Sequence, residues 1–135
     1  MKITAIIEKG KDNRFSVYSD AMIGDFGLCG YGDNVDDAKA DFEAVIKEAQ
    51  DDYVREHGEL PKKYEQISVT YKYDLMAFFN YFDWINITKF AQEAGINESK
   101  MRQYKSGSAF AGERTTSKIQ AAVKRLGAEL SAAML

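Results

Sequence analysis

The sequence predicts an α+β chain in two parts: a small sheet-plus-helix unit of order βββαβ over residues 1–73, then an all-helical unit over residues 74–135. Three observations carry that prediction. Apolar and polar residues alternate in short stretches before Asp74. One long apolar stripe at helical spacing interrupts them. After Asp74 the period changes, and the remaining segments repeat as helices do.

In Lys2–Glu8, residues Ile3, Ala5 and Ile7 share one face of a strand. Lys9 to Arg14 contains Gly10, Asp12 and Asn13, a hairpin-turn composition. Phe15, Val17 and Ser19 then alternate with Ser16 and Tyr18, and after a glycine-containing loop Phe26–Tyr31 reads as a third strand. Asn34 has the side chain to cap a helix, with Asp36 and Asp37 well placed in its first turn. Val35, Ala38, Phe42, Val45, Ile46, Ala49 and Tyr53 form its apolar stripe, and Gly58 and Pro61 end it. Ile67, Val69, Tyr71 and Tyr73 alternate with Ser68, Thr70 and Lys72 in a fourth strand. Such an order suits a small sheet with one face covered by the helix. From Leu75, Phe78, Phe79 and Phe82 onward the chain reads as helices broken at Asn86, Gly95, Gly107 and Gly112.

Charge is unevenly spread. Residues 1–66 hold 9 Lys/Arg and 15 Asp/Glu, a net of −6; residues 67–135 hold 9 and 6, a net of +3. An acidic half joined to a basic half points to two different partners, although two solvated surfaces would look the same. No apolar run is long enough to span a membrane, and the start, Met1-Lys2-Ile3-Thr4-Ala5, lacks a signal core. The cytoplasm is therefore the expected compartment. Asn86-Ile87-Thr88 and Asn97-Glu98-Ser99 match the glycosylation acceptor pattern and are read as chance in that compartment.

The most informative segment runs from Asn86 to Gly107. Ala91 is small enough for two helices to meet. Gly95, four residues on, can take the positive φ of a tight turn. Ile96 would plug the turn into the core, Asn97 would cap the second helix, and Met101 and Tyr104 would face inward. This spacing resembles the helix-turn-helix of the Cro and phage-repressor type. The resemblance extends to the flanks, with Asp74–Phe82 as the preceding helix and Thr116–Leu130 as the closing helices. It implies a second helix in the major groove of DNA. Glu98, Ser99 and Gln103 would then face bases. Lys89, Asn97, Lys100, Arg102, Lys105 and Arg114 would serve the phosphate backbone. Residues 85–125 hold 8 basic and 3 acidic side chains, a net of +5, which fits that role. The same charges would also suit the solvated face of an ordinary helical bundle. One such unit contacts few bases, so a homodimer, or a higher even oligomer, on a two-fold site is expected.

Lys2–Tyr73 is similar to the HicB antitoxin domain, a degenerate RNase H-like fold. The residues that carry this are Lys2–Glu8, Arg14-Phe15-Ser16-Val17, Gly30-Tyr31-Gly32-Asp33 and Asn34-Val35-Asp36-Asp37-Ala38. The resemblance implies binding to a small RNA-cleaving toxin of the HicA type and repression of the shared operon. The stretch Ser19–Asp25 lacks the proline that the family often has between its second and third strands. Asp33, Asp36, Asp37, Asp41, Asp51 and Asp52 would supply a field that attracts a basic toxin. The alternative is a stand-alone regulator whose first unit only dimerises or senses a ligand.

Catalysis, a cofactor and a metal site are not expected. The inward strand positions Ile3, Ala5, Ile7, Phe15 and Val17 carry no metal ligands. His57, the only histidine, lies beside Gly58 at a helix end, where it reads as a capping residue. Cys29, the only cysteine, reads as a small buried side chain.

Overall fold

The computed structural model describes residues 1–10 and 12–135; Lys11, inside the expected first turn, lies outside the described residues. The chain is α+β, with a four-stranded mixed sheet and, among the described residues, six helices. It divides into two compact units, Met1–Tyr81 and Phe82–Leu135.

In the first unit the strands are β1 (Lys2–Lys9), β2 (Phe15–Ile23), β3 (Phe26–Gly32) and β4 (Ser68–Tyr73), in the spatial order β3-β2-β1-β4. β1 pairs antiparallel with β2 and β2 with β3, whereas β4 runs parallel to β1, from Lys2↔Ser68 to Ile7↔Tyr73. Helix α1 (Val35–His57) packs on β2 and β3. Alternation explains the layers. Ile3, Ala5, Ile7, Phe15, Val17 and Leu28 are buried on the face that α1 covers with Val35, Ala38, Phe42, Ile46 and Ala49. Asn34 caps α1 as its composition suggests, its side-chain oxygen accepting from the Asp37 amide at 2.8 Å.

α1 comes close because β3 offers glycine where the two meet. A Cβ on Gly32 would fall onto the Ala38 amide nitrogen, and one on Gly30 onto that of Phe42. The glycines of Gly30-Tyr31-Gly32 therefore set the distance between helix and sheet.

Several expectations change here. The stretch Ser19–Ile23, read as leading into a loop, is strand. β2 continues through an irregularity between Ser19 and Met22 to a two-residue turn at Gly24-Asp25, where Gly24 takes a φ of 59°. The irregularity breaks the alternation, which hid the extension. A short helix, α2 (Lys62–Glu65), precedes β4; a single turn carries too little periodicity to be read. Cys29 is only half-buried, because it lies on the face of β3 opposite the buried Leu28 and Gly30.

Finally, the division expected at Tyr73-Asp74 falls after Tyr81. Helix α3 (Leu75–Tyr81), expected as the first helix of the second unit, packs on β1 and β4, and Ala77 joins the sheet core. Asp74 ties the junction down. Its amide donates to the Ile7 carbonyl at 2.9 Å, and its carboxylate accepts from the Ala77 amide at 2.6 Å. Lys39 adds a second tie: its ammonium lies 4.7, 5.2 and 5.7 Å from the ring centres of Tyr71, Tyr73 and Tyr81, and donates to the Tyr73 hydroxyl at 2.7 Å.

The second unit holds α4 (Ile87–Ala94), α5 (Glu98–Ser106) and α6 (Glu113–Ala132). One continuous α6 stands where closing helices were expected over Thr116–Leu130, since nothing in that stretch breaks a helix strongly enough. Phe90, Ala91, Met101, Ile119 and Ala122 are its buried residues, and α4 packs on both α5 and α6. Among the described residues, no helix is long and apolar enough to cross a membrane.

Candidate nucleic-acid interface

The junction of α4 and α5 is fixed by backbone hydrogen bonding. Gly95 takes a φ of 70°, the left-handed conformation that its position predicts. Its amide donates to the Gln92 carbonyl at 3.2 Å, and the Ile96 amide donates to the Ala91 carbonyl at 2.9 Å. That pair of bonds is the Schellman arrangement, which closes a helix and turns the chain sharply. Asn97 then opens α5, its side-chain oxygen accepting from the Lys100 amide at 3.1 Å. Asn86 does the same for α4 through the Lys89 amide at 2.9 Å. Two short helices thus meet through three residues, both ends capped, with Ala91 and Met101 fully buried between them and α6. Ile96, expected to plug the turn, stays half-exposed, and Tyr104 is half-buried.

The burial pattern of α5 leaves one stripe exposed. Met101 is buried, and Glu98, Tyr104 and Lys105 are half-buried on the inner side. Ser99, Lys100, Arg102, Gln103 and Ser106 are exposed. Ser99, Arg102 or Gln103, and Ser106 repeat at the three- to four-residue spacing of one helix face. Lys89 on α4 and Arg114 at the start of α6 are exposed as well. Asn97 is exposed at the α5 N-terminus, where helix amides and a positive dipole favour an anion.

Glu98, expected to face bases, is partly exposed, and its carboxylate is engaged within the unit. One of its oxygens accepts from Gln92 Nε2 on α4 at 3.2 Å, and the other lies 3.5 Å from Arg102 Nη2. As the first residue of α5 it points back along the helix towards α4.

Arg125 was not singled out from the sequence, yet it anchors α6. It donates to the Glu93 carboxylate at 2.8 Å and to the Glu93 carbonyl at 3.2 Å, near the C-terminal end of α4, where the helix dipole favours a cation. The hydrogen bond that Arg125 donates to Glu93 raises the Arg125 pKa. The 32-residue separation leaves no local signal for this pair. With Glu93 and Glu98 engaged in this way, Lys89, Lys100, Lys105, Arg114, Lys118 and Lys124 form no ion pair among the described residues.

The acidic groups of the first unit are largely occupied by their own fold. Asp33 pairs with Arg14 at 3.2 Å and Asp52 with Arg55 at 2.8 Å. Asp37 meets the Asn34 amide group at 3.0 Å, Asp36 accepts from the Tyr81 hydroxyl at 3.2 Å, and Asp41 accepts from the Tyr31 backbone amide at 2.7 Å. That last bond covers a backbone donor on an edge strand. Asp51 is exposed on α1. Burial, helped by a hydrogen bond to Glu43, pushes the Tyr71 phenol up to about 12. His57, the last residue of α1, is exposed, with its ring 4.3 Å from that of Tyr53; the capping amide at this end is that of Gly58, which donates to the Val54 carbonyl at 2.7 Å. Among the described residues, no three His, Cys, Asp or Glu side chains are grouped to hold a metal ion.

No family model, curated protein or solved structure matches this chain significantly.

Proposed function

We propose that the chain is a transcriptional repressor that binds operator DNA through residues 82–135, with α5 in the major groove. The observation that carries this reading is the exposed stripe of α5, Ser99, Arg102, Gln103 and Ser106, flanked by cations that form no ion pair among the described residues. A helix of nine residues held by two caps can enter a major groove, and Gln and Ser can read base edges there. Lys89, Lys100, Lys105 and Arg114 contact phosphates, and the protein acts as a dimer on a two-fold site. The protein is cytoplasmic and has no enzymatic activity of its own.

The first unit, on this proposal, is a HicB-like antitoxin domain that binds a small basic RNA-cleaving toxin of the HicA type. The support is the resemblance over Lys2–Tyr73 and a net charge of −6 over residues 1–66. A second reading, a stand-alone regulator with no toxin, is favoured by the engagement of Asp33, Asp36, Asp37, Asp41 and Asp52 within the fold.

An electrophoretic shift with the DNA upstream of its own gene tests the first proposal. A shift that is lost on joint replacement Arg102→Ala and Gln103→Ala supports it, and a shift unchanged by them removes α5 from the interface. Co-expression with the neighbouring genes separates the two readings of the first unit. A small basic protein recovered in fixed ratio favours the antitoxin, whereas recovery of this chain alone leaves the plain regulator.

A further inference from the structure

Resting on the DNA-binding reading, we infer that Glu98 is a discriminating residue: it holds Arg102 in an intramolecular pair and so weakens binding to unselected DNA. Four side chains form a bracket across α4 and α5. Gln92 Nε2 donates to Glu98 Oε1 at 3.2 Å, Glu98 Oε2 lies 3.5 Å from Arg102 Nη2, and the same Nη2 donates to Thr88 Oγ1 at 3.1 Å. Thr88 and Gln92 are one turn apart on α4, and Glu98 and Arg102 are one turn apart on α5. The Arg102 guanidinium is therefore oriented along the outer side of the two helices.

Arg102 and Glu98 are 57% and 39% exposed, so their pair is screened by water and can be broken. Breaking it exposes a carboxylate beside the DNA backbone whatever the sequence. A lone phosphate offers Arg102 a contact available on every duplex, which carries no sequence information. Without the Glu98 charge, Arg102 is free to make that contact everywhere, and non-specific affinity rises. Glu98 thus acts through Arg102, as a repulsive element against unselected partners.

The test uses the full chain and a fluorescently labelled random-sequence duplex, titrated by anisotropy between about 50 and 200 mM salt. The variants are Glu98→Gln, Arg102→Met and the two combined. Glutamine keeps the shape and the acceptor for Gln92 while removing the charge. The Glu98→Gln variant is expected to bind more tightly, with a log–log salt slope more negative by about 0.9, one added phosphate contact. Its advantage is then about 3.5-fold larger at the low-salt end than at the high-salt end. In the Arg102→Met background, Glu98→Gln changes neither affinity nor slope. Thermal melts close to wild type for all three variants show that the readout is not loss of fold. An equal gain in both backgrounds overturns the inference, because Glu98 would then act through the overall field. An unchanged slope in Glu98→Gln overturns it too, while the DNA-binding reading stands. Absence of binding by wild-type protein at low salt overturns that reading and the inference with it.

Discussion

The backbone of Gly30 lies directly against that of Phe42. A Cβ on Gly30 would fall on the Phe42 amide nitrogen, 2.7 Å from its Cα and 3.0 Å from the Ala38 carbonyl oxygen. All three atoms are helix backbone and cannot rotate away. Gly30→Ala is therefore expected to lower stability by about 3 kcal/mol, as overpacking does. Gly27, on the same strand, has nothing within 4 Å of its Cβ position, and Gly27→Ala should stay within about 0.5 kcal/mol of wild type. Urea unfolding of both variants tests the pair; equal midpoints would mean that α1 does not need Gly30.

Lys39 is held among Tyr71, Tyr73 and Tyr81 and links α1 to β4 and α3. Lys39→Met keeps the aliphatic stem and removes the cation. A loss of about 1 kcal/mol is expected from the cation–π contacts and the Tyr73 hydrogen bond. Lys39→Arg should lose less. If both melt with wild type, the cation contributes nothing to the junction.

Asp74 gives a pH signature. Burial raises its carboxyl above the usual 3.8, and Glu8 adds to that; backbone hydrogen bonds from Ala77 and Lys9 oppose it. A folded-state pKa above the unfolded one means that the native state binds the proton more tightly. The favourable contribution is full below the unfolded pKa and disappears as pH rises through the folded one. Asp74→Asn keeps an oxygen for the Ala77 amide without the charge. It should melt above wild type at pH 7, and the difference should shrink as pH falls towards about 4. A difference that grows on acidification would contradict this assignment.

Gly95 sets the angle between α4 and α5 through its positive φ. Gly95→Ala should cost about 1 kcal/mol, and Gly95→Asn less, because asparagine tolerates the left-handed region. Gly95→Val should be the worst of the three. Thermal melts rank them; a flat series would show that the turn relaxes freely.

What could be read in advance followed from local physics. Two-residue alternation placed Ile3, Ala5, Ile7 and Val17 on the covered face, and the caps Asn34 and Asn97 and the turn at Gly95 are each decided within a few residues. What could not be read depends on distant partners. Ala77 packs with β-sheet residues far along the chain, so nothing local to α3 shows that it belongs with the sheet. Arg125 meets Glu93 only after folding, and the Glu98 carboxylate meets Gln92 from another helix. The register irregularity between Ser19 and Met22 similarly hid the end of β2.

The most direct test of DNA recognition is an anisotropy titration of the duplex from upstream of the gene across a salt series. About 4–6 phosphate contacts predict a log–log slope of about −4 to −5, with binding largely lost when Arg102 and Gln103 are both replaced by alanine. No binding at about 50 mM salt, or binding whose slope stays near zero, would contradict a helix in the major groove and leave α5 as an ordinary solvated surface.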